Sequence, residues 1–376
     1  MKFVVPSSVL LKQLTALNGV IVSNPVVPIL ENFLFEIKDG KLVIVASDLQ
    51  TSVTAEINVD ANEDGGVAIP AKMLIETLRN LPEQPVTFKI DDDTYSIEII
   101  SENGHYKLAG ENSADFPKVP ELKQSQTVEL SSEVVTTAIA YTLFAVSTDE
   151  MKPAMNGVYA NIKEGRATFV STDSHRLLRY IRTDVSATAG TETAIILPRK
   201  ALTMLKNTLP TDNTPLTLSF NKSNAHFSFG NMTMICRLID ERFPDYENVI
   251  PTNNPNTLEI DRLELIGCLR RMSIYANKST NQVRFKMTAN SLEISAEDID
   301  FSNEANEKLN CEYSGDDLEI GFNAKFLIEG LSNVSTRHVI FKFSEPNRAA
   351  VMTPSDMDVA EDLMMLIMPV MLNSYY

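Results

Sequence analysis

Three segments of this chain repeat one plan, and the distance between them sets what the chain can fold into. Ala68 to Pro82 reads AIPAKMLIETLRNLP, Ile195 to Pro210 reads IILPRKALTMLKNTLP, and Glu319 to Val334 reads EIGFNAKFLIEGLSNV. Each opens with apolar residues, turns through a short Pro or Asn element, places a lysine, and runs into an apolar pattern of helical period. The lysines, Lys72, Lys200 and Lys325, recur at intervals of 128 and 125 residues. A period that long describes whole domains rather than the short units of a solenoid. Three like domains would set three equivalent lysines on equivalent helices, and a common surface is where function is to be sought.

Two further modules recur with the first. Phe3 to Leu17, Val128 to Ile139 and Leu258 to Leu269 each read as a short strand followed by a helix, with Ser or Asp at the turn as a capping residue; in the first copy the cap is Ser7 or Ser8. Asn32 to Asp48 then gives two alternating apolar runs joined through Asp39-Gly40, the strongest hairpin signal in the chain. Its counterparts turn at Glu164-Gly165 and Ala289-Asn290. Later strands are expected at Val86 to Ile90 with Tyr95 to Ile100, Leu216 to Phe220 with His226 to Phe229, and Val339 to Phe343 with Ala349 to Met352. The expected fold is α+β: an antiparallel sheet with helices, built three times. The polar, proline-bearing stretches Phe116 to Gln126 and Pro251 to Asn256 suit linkers and set domains of 1–122, 123–252 and 253–376.

Composition bounds the chemistry. At 376 residues the chain has room for three cores, and a net charge of −17 argues against a protein that grips nucleic acid with its whole surface. Any basic site must be local. Cys236, Cys268 and Cys311 are odd in number and far apart, which suits neither a disulfide framework nor a zinc site and predicts a reducing, cytosolic compartment. The start, MKFVVPSSVLLKQL, lacks the apolar core of a signal peptide, and the longest apolar run, Leu363 to Leu372, is too short to span a bilayer. A soluble protein is expected.

Catalysis lacks its parts. Thr172-Asp173-Ser174-His175 lists a nucleophile, an acid and a base, but on an extended segment Ser174 and His175 would point to opposite faces. The chain has no phosphate-binding glycine loop, no dinucleotide fingerprint and no H-E-x-x-H pair, so nucleotide hydrolysis and zinc chemistry are not expected. His105, His175, His226 and His338 show no ligand spacing, and Asp91 to Asp93 reads as a hairpin turn. Neither metal nor cofactor is predicted.

The motifs VVPILENFLFEI at Val26 to Ile37, STDSHRLL at Ser171 to Leu178, LPRK at Leu197 to Lys200 and RFPDYENVIP at Arg242 to Pro251 resemble the bacterial DNA polymerase III beta subunit family. EIGFNAKFL at Glu319 to Leu327 and LIMPVML at Leu366 to Leu372 extend the resemblance over the whole chain. The resemblance implies three DNA-clamp domains per chain and a head-to-tail homodimer closing as a six-domain ring. It implies a sliding clamp that encircles duplex DNA and tethers the replicative polymerase, without catalysis of its own. The implied partners are double-stranded DNA, the DNA polymerase III catalytic subunit, an ATP-driven clamp loader, and other polymerases and repair proteins that dock through short peptide motifs. No membrane is implied.

Residue by residue, the resemblance assigns DNA-facing roles to Lys72 and Arg79, to Arg199 and Lys200, to Lys325, and to Asn24 and Lys152 in two loops, with Asn24 standing where an arginine is common. A groove for partner peptides is implied at Met155, Thr172, Ser174, His175, Arg176 and Leu177. Pro244, Val249, Leu366, Met368, Pro369 and Val370 complete it. Here Ser174 replaces a usual glycine, Asn248 and Met371 stand where basic residues are common, and a tail ending in Tyr375-Tyr376 is expected to fold back over the groove. Dimer closure is implied at Tyr106 and Leu108 on one side and at Ile274 and Tyr275 on the other. The alternative reading is a β-rich protein-binding scaffold that does not encircle DNA; retention on circular DNA separates the two.

Overall fold

A computed structural model describes residues 1–23, 25–123, 125–187, 193–210 and 212–372. The chain divides into two compact units, residues 1–136 with 200–238 and residues 137–199 with 239–376. Asn24, Tyr375 and Tyr376, given roles above, lie outside the described residues.

Among the described residues, six α-helices fall two to a repeat. They are α1 (Ser7–Leu17), α2 (Ala71–Arg79), α3 (Ser132–Thr142), α4 (Arg199–Thr208), α5 (Arg262–Tyr275) and α6 (Ala324–Ser332). The strand before each lysine-bearing helix is Gly65–Pro70, Thr193–Pro198 or Leu318–Asn323. Burial follows the helical period: α2 sinks Ala71, Leu74, Ile75 and Leu78, and α6 sinks Ala324, Leu327, Gly330 and Leu331.

In the first unit, one sheet runs in the order Asp60–Ala61, Lys2–Pro6, Pro85–Ile90, Ser96–Ile100, His105–Ala109. Its core face carries Phe3 stacked on Phe88 with ring centres 4.8 Å apart, and Phe35 tilted against both. The second sheet is built from the Asn32–Lys38 and Lys41–Ser47 hairpin, whose Asp39 and Gly40 both take positive φ as a tight primed turn requires. Strand Thr51–Asn58 continues it and pairs antiparallel with Met232–Arg237, so strands of the second repeat extend the sheet of the first. An edge that would otherwise offer unpaired backbone groups is satisfied this way.

In the second unit the same device returns. Strand Arg176–Arg182 pairs over its whole length with Glu361–Ile367, carrying one sheet from the second repeat into the third. A polar seam reinforces the pairing. The Tyr180 hydroxyl donates to Glu361 at 2.6 Å, Arg182 donates to the same carboxylate at 2.6 Å, and Asp184 holds the Arg182 guanidinium from the other side. Burial and the Glu361 carboxylate push the Tyr180 phenol well above its ordinary range. A separate four-stranded sheet runs Asn303–Asn310, Ser291–Asp298, Gln282–Thr288, Leu318–Asn323.

The expected caps, turn and linker fare differently. Ser7 and Ser8 do not cap α1: the Ser7 hydroxyl donates to the Pro82 carbonyl and accepts from Gln84 N–H, and Ser8 donates to Glu83. They staple the helix start to a neighbouring loop instead. The cap expected at α5 does form, with Asp261 accepting from Leu263 and Glu264 N–H, and in α3 the Ser131 hydroxyl accepts from Val134 N–H. Asp91 to Asp93 is a turn between strands, where amide donors from Thr94 and Asp93 hold the Asp91 carboxyl below its ordinary range. The stretch after Phe116 is less of a free linker than its composition suggests, because Phe116 and Val119 pack on Ile29, Leu30 and Leu34.

Candidate functional site

Lys72, Lys200 and Lys325 each occupy the second residue of their helix, and each is exposed. The positive end of a helix dipole disfavours a cation there by about 0.3–1 kcal/mol. Three lysines at the same unfavourable position are better placed to meet an external anion than to stabilise their own helices. Arg79 differs, since it sits in the last turn of α2, where the dipole favours it. Lys200 differs too, because the nearly buried Asp48 carboxylate holds its ammonium in a close ion pair. Asp48 also accepts from Gln50 and Thr51 N–H, so the pair ties α4 to the turn before Thr51–Asn58. Arg199 is exposed at the first position of α4.

The residues expected to form a peptide groove all lie in the second unit. The Thr172 to Arg176 segment is a tight turn, not the extended run expected from sequence. Ser174 takes φ 78°, a left-handed conformation that favours glycine, and Asp173 accepts from His175 and Arg176 N–H. The turn leaves no hydrolytic pair: the Ser174 hydroxyl accepts from the Lys152 ammonium at 3.0 Å and contacts the Met155 sulfur at 3.4 Å, while the His175 ring stacks on Phe326. Lys152, assigned to a DNA-facing loop by resemblance, is thus tied to a groove residue.

The floor is apolar. Leu177 lies opposite Leu366 in the ladder, and both pack in one buried cluster with Val170, Ile196, Phe243 and Met364. All five residues from Leu363 to Ile367 are buried, so this strand does not alternate. It is covered on both faces, as a continuous apolar run requires. The segment after it closes the site's end: Met368 N–H donates to the His175 carbonyl at 2.9 Å and Val370 N–H to the Gly321 carbonyl at 2.8 Å. Only glycine fits at 321, where a Cβ would collide with the Val370 carbonyl. Met368 and Val249 remain exposed, whereas Pro244, Pro369, Val370 and Met155 are half-buried. Flexible methionines beside a fixed apolar floor suit a surface that repacks around a bound segment.

Arg176 holds the arrangement. Its side chain is almost fully buried and donates to Asp173 at 3.0 Å, to Glu329 on α6 at 2.5 Å, and to the Phe144 carbonyl at 2.8 Å. The guanidinium also lies 4.5 Å from the Phe326 ring centre and 5.3 Å from that of Phe144. Phe144, Phe326 and Glu329 were missed by sequence reading; they lie on other elements, and although Phe326 falls inside the quoted EIGFNAKFL motif, nothing local links it or the other two to Arg176. Phe243 and Tyr246 sit inside a quoted motif and stack around Tyr159, so they were within reach.

Of the residues expected at dimer closure, Tyr106, Ile274 and Tyr275 are exposed, and Leu108 is buried within its own unit. Tyr106 lies on His105–Ala109, an edge strand, and Asn303–Asn310 is the edge of the other unit's four-stranded sheet.

The cysteines are quiet. Burial pushes the Cys236 thiol up to about 12 and, with the Glu307 carboxylate adding to it, the Cys268 thiol also up to about 12; burial raises Cys311 as well. The thiolate is the reactive form. Alkylation by iodoacetamide at pH 8 is therefore expected to run at least tenfold slower in the native chain than in urea, read by mass spectrometry; equal rates would contradict this burial. Among the described residues no cluster of His, Cys, Asp or Glu could hold a metal ion, and no helix is long and apolar enough to cross a membrane.

Three family models match the chain in succession. The N-terminal domain of the DNA polymerase III beta subunit matches residues 1–120, the central domain residues 129–245, and the C-terminal domain residues 247–370. Among curated relatives, the beta sliding clamp of Vibrio cholerae is 28% identical, covering 99% of this chain and 100% of the relative. That of Synechococcus elongatus is 26% identical with full coverage of both. A crystal structure of the sliding clamp from Pseudomonas aeruginosa bound to griselimycin superposes with TM-score 0.94 at 26% identity, over 99% of this chain and 100% of that one. The Bacillus subtilis clamp, at 22% identity and TM-score 0.94, supports the fold. With the lysine-bearing helix of each repeat falling inside one of those three consecutive domain matches, the chain belongs to the DNA polymerase III beta subunit family.

Proposed function

We propose that this chain is a DNA sliding clamp, a non-catalytic processivity factor that encircles duplex DNA as a head-to-tail homodimer and tethers the replicative polymerase to its template. The observation that carries the reading is the match of all three clamp domains in order, each supplying one helix with an exposed lysine at the same position. Domains of 1–122, 123–252 and 253–376 fit the matched spans, with the joining strands running across both boundaries.

The physics of sliding fits the charge. Each neutralised phosphate adds salt-sensitive affinity and friction, so a mobile ring needs few contacts, and an acidic exterior repels stray DNA. Lys72, Lys325, Arg79 and Arg199 supply a sparse basic lining, and Lys200 contributes less because Asp48 balances it. Clients then dock by short peptides in the groove floored by Leu177 and Leu366, and tethering replaces bulk concentration by a local one. Loading requires an external ATP-driven loader, and the place of work is the cytoplasm. A protein-binding scaffold that never encircles DNA is not favoured, since it leaves the lysine-bearing helices without a role.

The test is retention on nicked circular DNA after loading, against the same DNA linearised. Retention on the circle with loss from free ends is expected, and equal loss from both sinks the proposal. Lys72→Ala and Lys325→Ala are each expected to flatten the log–log salt dependence of DNA binding by about 0.9 or less per phosphate contact removed. An unchanged slope in both would remove these lysines from the DNA-facing set.

A further inference from the structure

One face of the sheet in the second repeat changes character along its length. In the ladder of Gly157–Lys163, Arg166–Thr172 and Arg176–Arg182, one face presents Tyr159, Val170 and Leu177 at one end. That end belongs to the apolar floor already described. At the other end the same face presents Asn161, Lys163, Thr168, Arg166 and Arg179, which line a cavity of about 210 Å³. Three cations around one small cavity are unusual for a chain carrying a net −17.

Two polar atoms at this cavity, on Arg179 and Asn161, are left without partners among the described residues. Arg179 donates through Nη2 to Asp362 at 3.1 Å, yet its Nε is buried and has no hydrogen-bond partner among the described residues. A buried donor left unmade costs about 1–3 kcal/mol, so its persistence calls for a partner. The Oδ1 of Asn161 is likewise buried and unpaired, and a flip of that amide presents a donor in its place. Arg166 makes no ion pair among the described residues. Tyr246 forms the wall, and Glu247, which also lines the cavity, has its carboxylate 3.4 Å from the Tyr246 hydroxyl. The acidic neighbours, Glu247 and Asp362, leave the lining cationic on balance.

We propose that this cavity is a binding site for a single oxyanionic group, a phosphate or a carboxylate. Guanidinium forks and an amide and hydroxyl around a recess are the donor set such groups require. The volume lies below the roughly 300–1,000 Å³ of sites for drug-sized ligands, so a whole nucleotide does not fit. A second cavity of about 230 Å³, lined by Tyr159, Phe243 and Pro244, shares Asn161, Tyr246 and Glu247 with the first. The carrier of the oxyanion therefore has an aromatic shelf beside it. The site is independent of ring closure, so failure of the clamp reading leaves it standing.

The test titrates the full-length chain with inorganic phosphate, and separately with glutarate, at constant ionic strength balanced by chloride, reading the shift in unfolding temperature. Wild type is expected to respond to at least one of the two beyond chloride. The double variant Lys163→Ala with Arg166→Ala is expected to raise the apparent Kd at least tenfold. Arg337→Ala, remote and exposed, serves as the control and is expected to keep the response. Arg179→Lys, which keeps charge and loses the Nε donor, is expected to fall between. A response to phosphate alone assigns a phosphate group, and a response to glutarate alone assigns a carboxylate; either supports the site. No response beyond chloride, or an unchanged Kd in the double variant with an unaltered melt in the absence of ligand, overturns it.

Discussion

Arg176→Ala is expected to destabilise the second unit by about 3 kcal/mol and to abolish tight docking in the peptide groove. Removing one partner of a buried ion pair costs about 3–5 kcal/mol because the other charge stays behind without compensation. The lower end applies here, since Asp173 is mostly buried while Glu329 is half exposed and regains water. The loss is also one of shape, because the guanidinium lies against Phe326 and Phe144 and donates to the Phe144 carbonyl. Urea unfolding reads the effect as a lower midpoint, and fluorescence anisotropy with a client-derived peptide reads the groove. Arg176→Lys keeps the charge but supplies no planar fork, so it is expected to recover less than half of the stability. A midpoint change worth less than about 1 kcal/mol in the alanine variant would show that the network is dispensable.

That residue also marks where sequence reading stops. The three lysine-bearing helices and the three hairpins are local patterns of period 3.6 and 2, and a chain displays such patterns openly. Asp39-Gly40 announces its turn because two consecutive positive φ angles admit few residue types. Contacts that join distant elements leave no such trace. Arg176 meets Phe144 and Glu329 across 32 and 153 residues, and nothing in the local pattern of any of the three signals the others. The groove role proposed for it comes only from resemblance to a family. The strand Asn303–Asn310, NEANEKLN, was not anticipated either, because an edge strand carries polar and charged residues that break the apolar alternation. Thr172 to Arg176 misled for the opposite reason: Ser174 occupies a left-handed position without being glycine, so the turn has no visible punctuation.

Ile274→Asp is expected to convert a homodimer into monomers and, with it, to erase retention on circular DNA. Ile274 and Tyr275 end α5 as large apolar side chains, 64% and 42% exposed, and Tyr106 stands exposed on the edge strand His105–Ala109. Leu108 is buried in its own unit, so the proposed closure surface is left with the other three residues. A face from the first domain meeting a different face from the third is a heterologous contact, which forms a ring only if the rotation closes. Both faces sit on every chain, so two chains that close bury two copies of the contact. Each 1.4 kcal/mol lost is tenfold in affinity, and a carboxylate forced into a dry apolar contact costs several kcal/mol, giving a dimer weaker by about a thousandfold or more. The exposed position leaves the isolated chain folded, which circular dichroism checks. Sedimentation velocity at micromolar concentration reads the oligomeric state, and nicked-circle retention reads the ring. Persistence of the dimer in Ile274→Asp would place closure elsewhere; loss of the dimer with intact peptide docking would separate ring formation from client binding, as two surfaces on different parts of the chain require.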